Sequence, residues 1–129
     1  MAKHLAVGQY GEDLACEYLR NNGYNVLRRN DKHPWGEIDI IVKQKKTGLL
    51  VFVEVKALTD GDGRYVPEDH YSLDKARKTQ RAAQLFAGQY PNWYDENVGW
   101  RIDLLAITLH KIPVEDLKTD CTIIHYENV

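Results

Sequence analysis

The chain is poor in cysteine, in long apolar runs and in surplus positive charge, and each shortage removes a class of protein. Its two cysteines, Cys16 and Cys121, belong to neither a CxxC nor a CxxH cluster, so a structural zinc site and a dithiol redox motif are both unsupported. They are expected to be reduced thiols rather than a disulfide. No apolar run approaches the roughly 20 residues that a membrane-crossing helix needs. The first residues, Met1-Ala2-Lys3-His4, lack the apolar stretch of a signal peptide, which makes the cytoplasm the expected location. A formal net charge of -2 is not the basic balance of a general nucleic-acid coat protein. Repeats, low-complexity tracts and linkers are missing too. The 129 residues therefore read as one domain, 1–129, long enough for a real core.

What charge there is falls into segments. Arg20, Arg28, Arg29 and Lys32 face one acid, Asp31; Lys75, Arg77, Lys78 and Arg81 likewise face Asp74. The tail is acidic, with Glu115, Asp116, Asp120 and Glu127 against Lys118. Local basic faces of this kind serve a polyanionic partner, and solvated helix and loop surfaces explain them equally well.

Hydrophobic spacing predicts a helix over 5–22, with Gly8, Gly11 and Ala15 forming a face of little bulk and Gly23 ending it. Short strands are expected at 24–29, 36–43, 49–56, 100–109 and 121–126, with loops at 30–35 and 57–70. A second helix over 72–88 has Ser72 as N-cap and Leu73, Ala76, Ala83, Phe86 and Ala87 as apolar contacts. The order helix, three strands, helix, two strands gives an α/β domain with a mixed sheet. Asp60-Gly61-Asp62-Gly63 lacks the spaced ligands and closing glutamate of a calcium loop.

The most β-prone stretch is 49–56, and it ends in Glu54-Val55-Lys56. Alternation puts Val51, Val53 and Val55 on one face and Phe52, Glu54 and Lys56 on the other. Asp39 sits inside the β-branched run Ile38–Val42, where an acid needs a partner. A hairpin of these two strands places Asp39 beside Glu54. Two adjacent carboxylates need a cation between them: Lys56 in a structural ion network, or a hard divalent ion such as Mg²⁺ or Mn²⁺. Arg101 and Asp103 share a face and are expected to pair. Glu12, next to the small face of the first helix, reads on its own as a surface residue.

These residues resemble a known arrangement. Asp39 followed by Glu54-Val55-Lys56, behind a helix bearing Glu12, is similar to the PD-(D/E)xK nuclease pattern. The blocks 11–15, Tyr18-Leu19, Gly23-Tyr24, 36–41 and 51–56, with Lys75, Ala82-Ala83 and 101–103, resemble the YraN-like family of predicted endonucleases, relatives of archaeal Holliday-junction resolvases. The resemblance implies a restriction-endonuclease-like core, a mixed β-sheet flanked by helices, and metal-dependent hydrolysis of DNA. It assigns Asp39, Glu54 and the Val55 carbonyl to a Mg²⁺ or Mn²⁺ ion, and Lys56 to the attacking water. It makes Glu12 a further acid of the site. Arg28, Arg29, Lys75, Lys78 and Arg81 are the expected phosphate contacts. Branched or structured DNA would favour a homodimer. Relatives tend to carry an arginine soon after the lysine; here Ala57-Leu58-Thr59 follow and Arg64 is nearest. The rival readings are a non-catalytic nucleic-acid-binding module on the same fold and a structural protein with a buried Asp39/Glu54/Lys56 ion network.

Overall fold

The structure, a computed structural model, describes residues 2–60 and 67–129. The stretch 61–66, with the rest of the Asp-Gly loop and Arg64, lies outside the described residues. The elements run α1 (Ala2–Asn21), β1 (Tyr24–His33), β2 (Gly36–Gln44), β3 (Leu50–Thr59), α2 (Leu73–Gln89), β4 (Trp100–Leu109) and β5 (Cys121–Tyr126). The sheet has the order β1-β2-β3-β4-β5. Antiparallel hairpins join β1 to β2 and β2 to β3; β4 lies parallel to β3, and β5 returns antiparallel to β4. A parallel neighbour needs a crossover, and α2 lies within that connection. The mixed α/β class is as expected and is consistent with the restriction-endonuclease-like core that the resemblance implies.

β3 takes the centre because Leu50, Val51, Phe52 and Val53 are inaccessible and can be covered on both faces. Val51, Val53 and Val55 pack with Ile40, Val42 and the α1 residues Leu14, Ala15 and Leu19. Phe52 packs the other way, with Ile41, Ala83 and Phe86. The alternation read from the sequence therefore holds along β3. It fails once in β2, where Ile38 joins the α2 side rather than following Ile40.

Three expectations need correction. β1 runs on through the predicted loop to His33. A bulge at Leu27 and a left-handed Asn30 (φ 49°) let it continue, and Asp31 is held between Arg28 and His33. Leu73 is exposed rather than a core contact. Gly8 has open space around it, so the close approach of α1 rests on Gly11. Ser72 caps α2 as expected, its Oγ accepting from Lys75 N, and Cys16 and Cys121 are buried and free.

A Cβ at Gly11 would stand 2.5 Å from the Ala57 Cβ. Gly11→Ala should therefore destabilise by about 1–3 kcal/mol in urea unfolding, despite the better helix propensity of alanine. The loss should shrink in an Ala57→Gly background. An unchanged loss there would mean that the Ala57 contact is not its cause.

Candidate active site

The β2–β3 ladder last pairs Ile40 with Val53. Beyond it the Asp39 side chain, not a strand carbonyl, accepts from the Val55 amide at 2.9 Å. A cleft of about 540 Å³ opens here, with Glu37, Asp39, Glu54 and Lys56 on the sheet side. Lys75, Lys78 and Arg81 close it from α2. Lys56 Nζ meets Glu54 Oε1 at 3.1 Å, with Lys56 20% and Glu54 13% exposed at the side chain. That pair is covered enough to feel its neighbours' charge without full solvent screening.

Glu12 enters from α1. Its Oε1 is buried without a hydrogen-bond partner, although Asn30 hydrogen-bonds the carboxyl group. Loss of water and the nearby Asp39 and Glu37 push its pKa up to about 7. Asp39 is pushed up to about 7 as well, by burial first and then by Glu54, against the opposing pull of the Val55 amide and Lys56. The surface reading of Glu12 is thus corrected: the helix carries its carboxyl to the edge of the acid cluster.

Two amines meet these acids. Lys75 is pulled below the ordinary lysine range by its contact with the Lys56 amine and by partial burial. Lys56 stays above that range: contact with Lys75 and attraction to Glu54 outweigh its burial. The acids thus stand near two touching lysines, with Lys78 and Arg81 on the same α2 wall, and burial first, then the neighbouring acids, keeps protons on Glu12 and Asp39.

Hard oxygens are the donor set that a small divalent cation prefers. The partnerless buried oxygen of Glu12 is a site such an ion could satisfy, so the residues present fit one. Among the described residues no group of three or more acids, histidines or cysteines is placed as it stands to hold a metal ion. Glu54 is engaged by Lys56 and Asp39 by the Val55 amide.

Not every expected contact joins the cleft. Arg28 Nη1 donates to Asp31 at 3.0 Å, and its guanidinium lies over Trp93 and Tyr90. Arg29 donates to Asp13 at 2.7 Å in an exposed pair. Lys78 does line the cleft, but it pairs with Asp74 along α2 in solvent. Sequence reasoning passed over Glu37, Asn30 and Trp35. Glu37 was recoverable, two residues before Asp39 on the same face; Asn30 acts through a backbone twist that its residue type alone does not announce.

The profile of the uncharacterised protein family UPF0102 matches residues 11–107, from the tight contact of α1 to the end of β4. Similar curated proteins all carry the description UPF0102 protein. One from Desulforamulus reducens is 41% identical over 106 residues, covering 82% of this chain and 84% of that protein. One from Chloroherpeton thalassium is 36% identical over 109 residues, covering 84% and 80%. One from Pseudothermotoga lettingae is 39% identical over 97 residues, covering 75% and 83%.

The raised carboxyls fix a pH dependence. Glu12 and Asp39 bind a proton more tightly folded than unfolded, so the folded chain carries more protons between about pH 4 and about pH 7. The contribution of these two groups should be greatest at the acid end of that interval and fall as pH rises through it. Asp103 is shifted down instead, so its contribution is lost only at more acidic pH, outside the interval. Asp39→Asn should flatten the fall and raise Tm at pH 8 by about 4 °C, on the order of 1 kcal/mol. A lower Tm than the parent at pH 8 would contradict this account.

Proposed function

The chain belongs to UPF0102, the YraN-like group of predicted endonucleases, and on that premise we propose that it is a metal-dependent endonuclease hydrolysing DNA phosphodiester bonds. The observation that carries the proposal is geometric: Asp39, Glu54 and Lys56 line one cleft at the end of the β2–β3 hairpin, and Glu12 keeps a buried oxygen without a partner. Burial and neighbouring acids push Asp39 and Glu12 up to about 7, a cost that a bound cation would relieve.

Asp39, Glu54 and the Val55 carbonyl would hold Mg²⁺ or Mn²⁺, with Glu12 binding directly or through water. The ion would supply Lewis-acid stabilisation of the phosphoryl charge and lower the pKa of attacking water. The chain's own residues do the rest. Lys56 would orient the water and oppose charge developing on the phosphoryl oxygens. The water oxygen bonds to phosphorus and its proton passes to solvent, while the ester P–O bond breaks with its electron pair going to the leaving sugar oxygen, which takes a proton from solvent. Lys75, Lys78 and Arg81 meet flanking phosphates, with Arg28 and Arg29 farther along the strand; such contacts position DNA without reading sequence. Branched DNA is one substrate in this reading, and symmetric cutting of it would take a homodimer.

One observation favours a second reading. The 3.1 Å Lys56–Glu54 pair is complete as it stands, as a structural ion network would require. In that case divalent ions would leave Tm unmoved.

A panel of linear, flap and four-way DNA with Mg²⁺ or Mn²⁺ separates the readings. Cleavage is expected, with Lys56→Ala and Glu54→Gln each slower by at least about 10²-fold. Mn²⁺ should raise the parent's Tm and not that of Asp39→Asn. No cleavage of any substrate together with no metal-dependent shift would end the enzyme reading. Metal-independent DNA binding without cleavage would point to the binding module.

A further inference from the structure

One wall of the cleft carries an aromatic surface that phosphodiester hydrolysis leaves unused. Trp35, at the β1–β2 turn, is half-buried and lines the cleft. One face of its indole is covered by His33, whose ring lies parallel with centroids 4.2 Å apart and planes 5° apart. Trp35 is seated partly against the α2-side core, and His33, stacked on it, has Phe86 and Tyr90 near its edge.

This backing is fixed at each step. His33 Nε2 meets Asp31 Oδ2 at 2.6 Å, and the other Asp31 oxygen accepts from Arg28 at 3.0 Å. Asp31 is 8% exposed, so the link is sheltered from water. The Arg28 guanidinium is itself seated 4.7 Å over the Trp93 ring. The turn is held as well: Gly36 has φ 153°, and a Cβ there would come within 3.1 Å of the Ala82 Cβ on α2. Trp35 lies four residues from Asp39, no more than about 14 Å away. A rigid indole, backed on one side and standing beside acids and lysines, suits a flat apolar ligand attached to a phosphate.

We infer that Trp35, backed by His33, is a stacking shelf for an unpaired nucleobase beside the scissile phosphate. The inference rests on the nuclease reading and narrows its substrate to single-stranded DNA, or DNA with an unpaired nucleotide at the cut, such as a flap or gap. The physical reason is stacking itself. In an intact duplex each base already has neighbours on both faces, whereas an unpaired base offers one to an aromatic ring.

The test uses the full chain and a labelled oligothymidylate, with Ca²⁺ as the only divalent ion and the oligonucleotide checked to be intact afterwards. Fluorescence anisotropy should show tighter binding to oligothymidylate than to paired duplex. Trp35→Leu should weaken the single-strand affinity about tenfold and leave duplex affinity unchanged, with Trp35→Phe close to the parent. Tryptophan quenching by the oligonucleotide should be present in the parent and largely lost in Trp35→Phe. Quenching that persists in Trp35→Phe arises from Trp93 or Trp100 and overturns the shelf, even if Trp35→Leu does not fold. Equal weakening of single strand and duplex by Trp35→Leu overturns it too. The two proposals fail separately. Single-strand preference through Trp35 without cleavage would sink the nuclease and keep the shelf. Cleavage of flap DNA at the parent rate by folded Trp35→Leu would sink the shelf alone.

Discussion

Glu37, Asp39 and Glu54 crowd one cleft with Lys56 and Lys75, Glu12 stands at its edge, and the rest of the structure serves to hold these charges together. Like charges at short range repel unless a proton or a cation lies between them. Asp39 and Glu12 answer by holding protons to about pH 7. The acids come from three elements, with Glu37 and Asp39 both on β2. The β2–β3 hairpin sets Asp39 against the Val55 amide, β3 carries Glu54 and Lys56 on one face, and α1 delivers Glu12. Repulsion within such a group would part the elements if nothing else joined them. What joins them is apolar. Leu50 to Val53 are inaccessible at the centre of the sheet, and both helices close on them.

A second buried acid shows what a purely structural carboxylate looks like in this fold. Asp103 is fully buried on β4. It accepts two bonds from Arg101, one from His125 Nε2 at 2.7 Å and one from the Asn128 amide at 3.0 Å. Although burial opposes its charge, these donors pull its pKa below the ordinary range. The network goes on through His125 to Tyr18 and through Arg101 to Tyr24 and Glu127, tying α1, β1, β4 and the C-terminal residues. The same residue type thus has opposite fates two strands apart. Asp103 is surrounded by donors, while Asp39 has one amide donor and more acids than amines around it. That contrast sets the cleft apart from an ordinary buried ion network.

Much of this was legible in the sequence, because it depends on short-range periodicity. The two-residue repeat placed Glu54 and Lys56 together, the hairpin followed from a five-residue turn, and Ser72 announced the start of α2. The Arg101–Asp103 pair was readable for the same reason. Other features depend on contacts between distant elements. Glu12 read as a surface residue because nothing local says which way α1 faces. β1 read as too short because Asn30 and Asp31 are turn formers, whereas pairing of 31–33 with β2 and the Arg28 and His33 contacts of Asp31 keep it extended. Trp35 beside Pro34 looked like a simple breaker sequence. Its ring partner, two residues back, becomes visible only once the strand is known to continue to His33.

The position of α1 couples stability to the site. Gly11 touches β3 and the next residue is Glu12, so the distance that the glycine permits also sets how far the carboxyl reaches. A bulkier residue at 11 would move the helix outward and carry Glu12 away from Asp39. That would relieve repulsion and expose apolar surface in the same step. The two effects oppose each other, but they do not have the same range. Charge repulsion through a partly wet cleft declines gradually with separation, whereas the packing of Leu14, Ala15 and Leu19 against the valines of β3 is lost within a fraction of an ångström. Packing therefore decides where α1 sits, and the carboxyls must accept the separation it dictates. The geometry of the cleft is therefore set by the core that surrounds it rather than by the charges it holds.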